Sequence, residues 1–385
     1  MCSFVPRTVF QSIIDDETAS EEAKRDAQNQ IDAITQTLTS ISSSAKAGSK
    51  AWTRYDTIPT GFEEFSCKIW GMATRNYSEI SYETGEVLGS SYQPLPGILY
   101  SASQDPPYEQ DPDVNICMGH LRTTYDFYKT VMGRNSIDGK GKQLEASIHY
   151  SIRYGNAIWE KNSQQMVFGD GDGSSRFGRR AGVFKPGSMV GSLDVTAHEV
   201  THGVTQNTAG FEYIGQSGAL NESMSDLFGS MVLQWKQVQT VEEASWLIGA
   251  GILYEGSESL KGKKAQATSL RSMKDPASPS NLDPQPDHKN HALYYKGTTW
   301  DHGGVHRNSG VPNHAFYKVA MRLGGYSWDR AGKIWYATLT DKRMHPQTTF
   351  VEFAKVTVDQ AGRLHPDDPS VADVVATAWK EVGVL

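Results

Sequence analysis

The feature that most restricts this chain is DVTAHEVTHGVTQNTAG, residues 194–210, where His198 and His202 stand four positions apart and Glu199 sits beside the first. On an α-helix, positions i and i+4 share a face, so both imidazoles can reach one point. Zinc suits such a face. A catalytic zinc takes three protein ligands, accepts imidazole nitrogen readily and keeps one position open. Glu199 would lie next to the metal without binding it, placed to take a proton from a metal-bound water and pass it to a leaving amine. The plain alternative is a helix whose two histidines are solvated or satisfied within the core.

A third ligand is close by. NESMSD, residues 221–226, offers Glu222 on the next helix and so completes a set of two histidines and one glutamate. Asp226, one turn later, has the chemistry to accept from the other ring nitrogen of a ligand imidazole. A surface helix would also supply spare carboxylates, but not preferentially at this position.

The bulk numbers remove several other classes. With 385 residues, 38% of them hydrophobic, the chain can bury a large core and form more than one lobe. A formal charge of −7 gives no electrostatic footprint for nucleic acid or an anionic membrane. No apolar run approaches the roughly 20 residues of a membrane helix. Cys2, Cys67 and Cys117 cannot all pair within one chain and have no CxxC spacing, so no disulfide framework is expected. The opening MCSFVPRTVFQSIIDDE lacks a basic region followed by a clean apolar stretch, so no standard export signal is expected.

Four segments are expected. Residues 1–50 read as a separable prosegment, an amphipathic helix plus linker: Ala23, Ala27, Ile31, Ile34, Leu38 and Ile41 form the stripe, Thr18 and Glu21 a capping box, and SSSAKAGSK at 42–50 an exposed linker. A docked N-terminal helix with a flexible tail fits the same composition. Residues 51–193 read as a β-rich lobe, with ILYSAS, ASIHYSIRY and QMVFGDGDG as strands and one helix near HLRTTYDFYKTVMG. Residues 194–208 form the zinc-binding helix, and 209–385 a mainly α-helical lobe. The fold class is therefore α+β with two lobes.

HEVTH, then GALNESMSDLFG, then WDHGGVHRNSG resemble the thermolysin family of zinc metalloendopeptidases. The likeness runs in consistent order from about Tyr125 to Gly310, and the short helical prosegment is most similar to that of the protealysin branch. The resemblance implies roles that spacing alone does not. Tyr213 and His306 would donate to the oxyanion of the tetrahedral intermediate, and Asp301 would orient His306. Arg271 would hold a substrate carbonyl, and Asn156 with Ala157 would present an edge strand to the peptide backbone. Val195, Ile248 and Leu270 would line an apolar pocket favouring cleavage before bulky hydrophobic residues. It also implies a pair of calcium ions beside the zinc helix; here Asp194 is kept, but Leu233, Ser245, Leu247 and Ala250 stand at the matching positions and cannot hold an oxygen-seeking ion. That calcium pair is expected to be missing.

Cys2 is open to a separate reading. A thiolate is a strong zinc ligand, so a prosegment that placed Cys2 at the open position would silence the enzyme; the alternative is an inert thiol. The expectation is thus a zinc endopeptidase made as a latent precursor, with protein or peptide substrates and its own prosegment as inhibitor. Two rivals stand beside it. A non-catalytic, zinc-stabilised binding protein would have lost its base, whereas Glu199, Tyr213 and His306 are all present. A zinc aminopeptidase would need an acidic group for a free α-amine, and no GxMEN-type signature occurs. Secretion is expected from the family, with a cytoplasmic location the alternative.

Overall fold

The computed structural model describes residues 2–17, 19, 21, 23–32, 35, 65–72, 95–151, 154–171, 183–185, 187–253 and 267–385. Among the described residues, six strands build the N-terminal lobe: β1 Cys2–Ser3, β2 Cys67–Gly71, β3 Ile98–Ala102, β4 Leu144–Ile148, β5 Ala157–Glu160 and β6 Gln165–Phe168. They form one mixed sheet in the order β1-β5-β6-β4-β2-β3. The pairs β2–β4 and β4–β6 are parallel, and the remaining three are antiparallel. Parallel neighbours need a crossover. The long helix α3, Pro112–Thr130, lies between β3 and β4 in the chain and packs on β2 and β4. It begins where Asp111 accepts from the backbone N–H of Asp113 and Pro112 takes the first turn, a cap of about 0.5–2 kcal/mol.

The N-terminal segment belongs to this lobe. Strand β1 is followed by α1, Arg7–Ile14, and by α2, whose described part is residues 23–32. The described half of the expected stripe, Ala23, Ala27 and Ile31, is buried, as are Phe4, Val5, Val9, Phe10 and Ile13. Gln30 accepts from the backbone N–H of Gly155 at 2.8 Å, and the Phe10 ring meets Phe184 edge to face. Beyond the expected amphipathic helix, then, a strand and a further helix precede it. Thr18, Ile34, Leu38, Ile41 and the 42–50 linker lie outside the described residues.

Between the lobes run α4, Ser188–Gly191, and two central helices, α5 Leu193–Gln206 and α6 Gly215–Gln237. Helix α5 starts and stops slightly earlier than the expected 194–208 and is buried from Leu193 to Thr205. One buried threonine braces it: Thr201 Oγ1 donates to the carbonyl of Ala197 and meets the Tyr128 hydroxyl at 2.8 Å. The C-terminal lobe is helical: α7 Asp301–Asn308, α8 Gly310–Leu323, α9 Arg330–Leu339, α10 Phe350–Leu364 and α11 Ser370–Glu381. Stacked Trp335 and Trp379, with Phe353 edge-on to the second, centre its core. A short ribbon, β7 Leu247–Ile248 with β8 Arg271–Ser272, completes the wall beside α5.

Helices α5 and α6 meet at Gly229. A Cβ there would stand 2.7 Å from the carbonyl oxygen of Asp194 and 3.5 Å from the backbone nitrogen of His198. Backbone atoms cannot swing away, so a side chain must push the helices apart. Gly229→Ala is therefore expected to destabilise the protein by about 1–3 kcal/mol, read as a lower midpoint in denaturant unfolding; an unchanged midpoint would show that the helices are not in this contact.

Candidate metal centre and its cleft

His198 and His202 leave α5 one turn apart, and Glu222 arrives from α6; the donor atoms of these three buried residues lie within 4.8 Å of one another. Their outer hydrogen bonds set the tautomers. Asn221 donates from Nδ2 to the Phe211 carbonyl, which leaves its Oδ1 facing His202 Nδ1 at 2.8 Å. His198 Nδ1 faces Asp226 Oδ1 at 3.0 Å. Both Nδ1 atoms therefore carry a hydrogen, which in the neutral ring leaves Nε2 as the atom that can ligate. The two Nε2 atoms stand 3.0 Å apart, with Glu222 oxygens 3.5 Å from each. Facing lone pairs repel, and a cation between them removes the repulsion. Two imidazole nitrogens and one carboxylate oxygen within reach of a single ion match the donor chemistry of catalytic zinc.

The surroundings keep the donors ready. Burial and the neighbouring His198 hold His202 well below the ordinary imidazole range, so it is neutral at neutral pH, as a ligand must be. Burial alone would raise Asp226, yet Arg271 and His198 hold its carboxyl well below the usual range. Asp226 also accepts from Arg271 Nη2 at 2.8 Å and Asn313 Nδ2 at 3.0 Å. Glu199 is different. Burial and the nearby Glu222 push it well above the ordinary carboxylate range. Neither of its oxygens has a hydrogen-bond partner among the described residues, and Glu222 Oε2 is likewise unpartnered. An orphaned buried carboxylate is costly unless a metal, a water or a substrate proton meets it.

On the far wall, His306 Nδ1 donates to Asp301 Oδ1 at 2.6 Å, while its Nε2 donates to the Ser3 carbonyl at 2.7 Å and lies 3.0 Å from the Tyr213 hydroxyl. Tyr213 donates to Glu222. Donation from both ring nitrogens makes His306 a cation. Burial would lower it, but Glu222 and Asp301 bring it up to about 9. The backbone that positions this pair is unusual: Asp301, His302, Gly303 and Gly304 all have positive φ, between 50° and 86°. For the two non-glycine residues such a conformation costs of order 1–3 kcal/mol each. Three hydrogen bonds from His306 and Arg307 to Asp301 hold the turn.

The cleft between these walls holds the chain's own start. The Phe4 N–H donates to the Ala157 carbonyl at 2.9 Å, and the Val5 N–H to Asn156 Oδ1 at 2.8 Å. In return Asn156 Nδ2 donates to the Val5 carbonyl at 2.9 Å and Arg271 Nη1 to the Phe4 carbonyl at 3.0 Å. The Phe4 ring stands edge-on to His198 with centroids 4.9 Å apart and lies under the Arg271 guanidinium. A Cβ on Gly249 would touch both that ring and Leu270, whose N–H donates to the Ile248 carbonyl. Val195 is buried on α5 beside Asp194, which accepts from the Gly249 N–H at 2.7 Å. Asp194 Oδ1 accepts from Ser192 Oγ. Cys2 is buried on β1 opposite Trp159; burial pushes its thiol up, and the Glu222 and Glu199 charges add to this. Cys67 and Cys117 are buried free thiols elsewhere. Sequence reasoning missed Asn221, Asn313 and the strand Cys2–Ser3 with Phe4 and Val5 after it. Asn221 directly precedes Glu222, but no local pattern marks a polar residue as the partner of His202.

Residues 109–206 match the family model described as the thermolysin metallopeptidase catalytic domain, and residues 209–384 the one described as its alpha-helical domain. Fold and donor set together define a zinc-dependent metallopeptidase. An extracellular metalloprotease of Pectobacterium carotovorum subsp. carotovorum is 45% identical over 76% of this chain and 78% of its own length. Protease PrtS of Photorhabdus sp. (strain Az29) is 44% identical over 75% of this chain and 73% of its own. The solved precursor of protealysin, a metalloproteinase from Serratia proteamaculans, matches with a TM-score of 0.76 and 35% identity, covering 100% of both chains. The chain belongs to the thermolysin family of zinc metalloendopeptidases, on its protealysin-like branch.

Because Asp226 fixes both His198 and Arg271, Asp226→Asn is expected to weaken zinc binding by about 10–100-fold. Competition with a chromogenic chelator measures it, and unaltered affinity would remove Asp226 from that role.

Proposed function

We propose that this chain is a latent form of a zinc endopeptidase, residues 1–50 being its prosegment, held inactive because Ser3, Phe4 and Val5 of that segment lie in its own substrate cleft. The single observation that carries this is the backbone pairing of Phe4 and Val5 with Asn156, Ala157 and Arg271, which occupies groups that would hold a peptide substrate by strand addition. His198, His202 and Glu222 hold the zinc in this reading. Zinc, when bound, supplies Lewis acidity to the carbonyl and the attacking water. Glu199 moves the proton from that water to the departing nitrogen. His306, oriented by Asp301, and Tyr213 donate to the developing oxyanion, each worth roughly 2.7–4 kcal/mol. The Phe4 ring marks the pocket for the residue after the cut, walled by Val195, Ile248 and Leu270, hence a preference for bulky hydrophobic residues there. Secretion is proposed from the relative named as extracellular.

Glu199→Gln is expected to keep its zinc while turnover on internally quenched peptides falls by about 10²–10⁴-fold. Native mass spectrometry reads the metal and fluorescence the turnover; full proteolysis by the mutant would reject Glu199 as the base. The same spectra test the proposed loss of the calcium pair, in which Asp194 is instead occupied by Ser192 and the Gly249 N–H. Two bound calcium ions would overturn that proposal.

Cys2 is proposed as a second element of latency, through its thiol at the open metal position. Its removal in Cys2→Ser is expected to raise the activity of the uncleaved chain without changing that of the activated enzyme. Equal latency in both chains would reject sulfur ligation.

A further inference from the structure

The N-terminal strand lies in the cleft in one direction and one register, and both can be read residue by residue. Four backbone groups in succession, from the Phe4 N–H to the Val5 carbonyl, are taken by Ala157, Arg271 and the two ends of the Asn156 amide. Before them, Cys2 pairs with Trp159 and Ser3 with Ile158. A slip of one residue would break all of these contacts and turn Phe4 out of its pocket. The carbonyl that precedes this clamp, that of Ser3, turns to the opposite wall of the cleft. It meets His306 Nε2 at 2.7 Å, next to Tyr213. Of the two groups proposed to stabilise an oxyanion, one thus donates to the oxygen of the peptide bond between Ser3 and Phe4, and the other stands against it.

Two further observations bear on that bond. Both Glu199 oxygens are buried without a partner among the described residues, which leaves them open to accept a proton from a water. A cavity of about 460 Å³ lined by Ser3, Gln11, Tyr213, Trp300 and His306 also lies beside the Ser3 carbonyl. It has room for several waters.

We infer that the Ser3–Phe4 bond is a self-cleavage site, cut within the same molecule. This rests on the endopeptidase reading of the same site. A water oxygen joins the Ser3 carbonyl carbon and the bond to the Phe4 nitrogen breaks. Glu199 carries a proton from the water to that nitrogen, and the products are a Ser3 carboxylate and a Phe4 ammonium, with nothing oxidised or reduced. Asn156 and Arg271 still grip Phe4 and Val5 afterwards, so the cut sheds residues 1–3 but leaves the cleft filled. A Cys2 thiol at the metal would compete with the water, so Cys2→Ser should quicken the cut.

The test uses the full chain with one equivalent of zinc, followed by intact-mass and N-terminal analysis over several protein concentrations. Chains beginning at Phe4 should accumulate at a rate independent of concentration, at least about tenfold slower in Phe4→Asp, and not at all in Glu199→Gln. In the metal-free chain, the Phe4 and Val5 amides should exchange hydrogen about 100-fold more slowly than exposed amides. Full exchange at both would overturn the register without any appeal to catalysis. The same protein, activated by limited proteolysis, is assayed on an internally quenched peptide. If it cuts the peptide while Ser3–Phe4 stays whole, the inference falls and the endopeptidase reading stands; if neither is cut, both fall. A rate that climbs with concentration would overturn cleavage within one molecule.

Discussion

Two imidazole Nε2 atoms 3.0 Å apart, with a carboxylate against both, are an arrangement that a folded chain cannot hold at low cost without a cation. Much of the surrounding architecture serves to keep them there. Helix α5 is buried almost throughout, α6 approaches it closely enough to require glycine at position 229, and Asn221 and Asp226 fix the rings from behind. Arg271 then ties this support to the cleft, since one guanidinium reaches both Asp226 and the Phe4 carbonyl. Metal support and peptide binding therefore share a single side chain.

The β-rich lobe contributes an edge. Strand β5 pairs with β6 on one side and with two residues of the N-terminal segment on the other. Antiparallel pairing with a short extended segment provides direction and register through main-chain groups, while the pocket around Gly249 reads one side chain. The opposite wall brings charge in place of pairing: His306, cationic between Asp301 and Glu222, faces the Ser3 carbonyl from the helical lobe. Each lobe thus supplies what the other lacks.

How much of this was legible in the sequence depends on distance along the chain. HEVTH is local: one helical turn sets its geometry, and His198, Glu199 and His202 follow from spacing alone. Glu222 and Asp226 are only one loop away, so their chemistry was readable too. Tyr213, Arg271, Asp301 and His306 come together only through the fold, and the resemblance rather than any pattern pointed to them. Strand β1 could not be foreseen, because two residues carry no periodicity and their extended form is imposed by pairing to β5. Nor could the left-handed turn at Asp301 and His302, where tertiary hydrogen bonds override the backbone preference of both residues.

That outer strand has a consequence beyond blocking a cleft. An unpaired β5 would display a row of open N–H and C=O groups, a template for any extended chain that drifts past. Covered by residues 2 and 3, β5 offers no such template on that side, so the strand proposed to withhold activity also shields this edge from other copies at high concentration. One pairing would then serve both latency and colloidal good behaviour, and losing the strand would surrender both together.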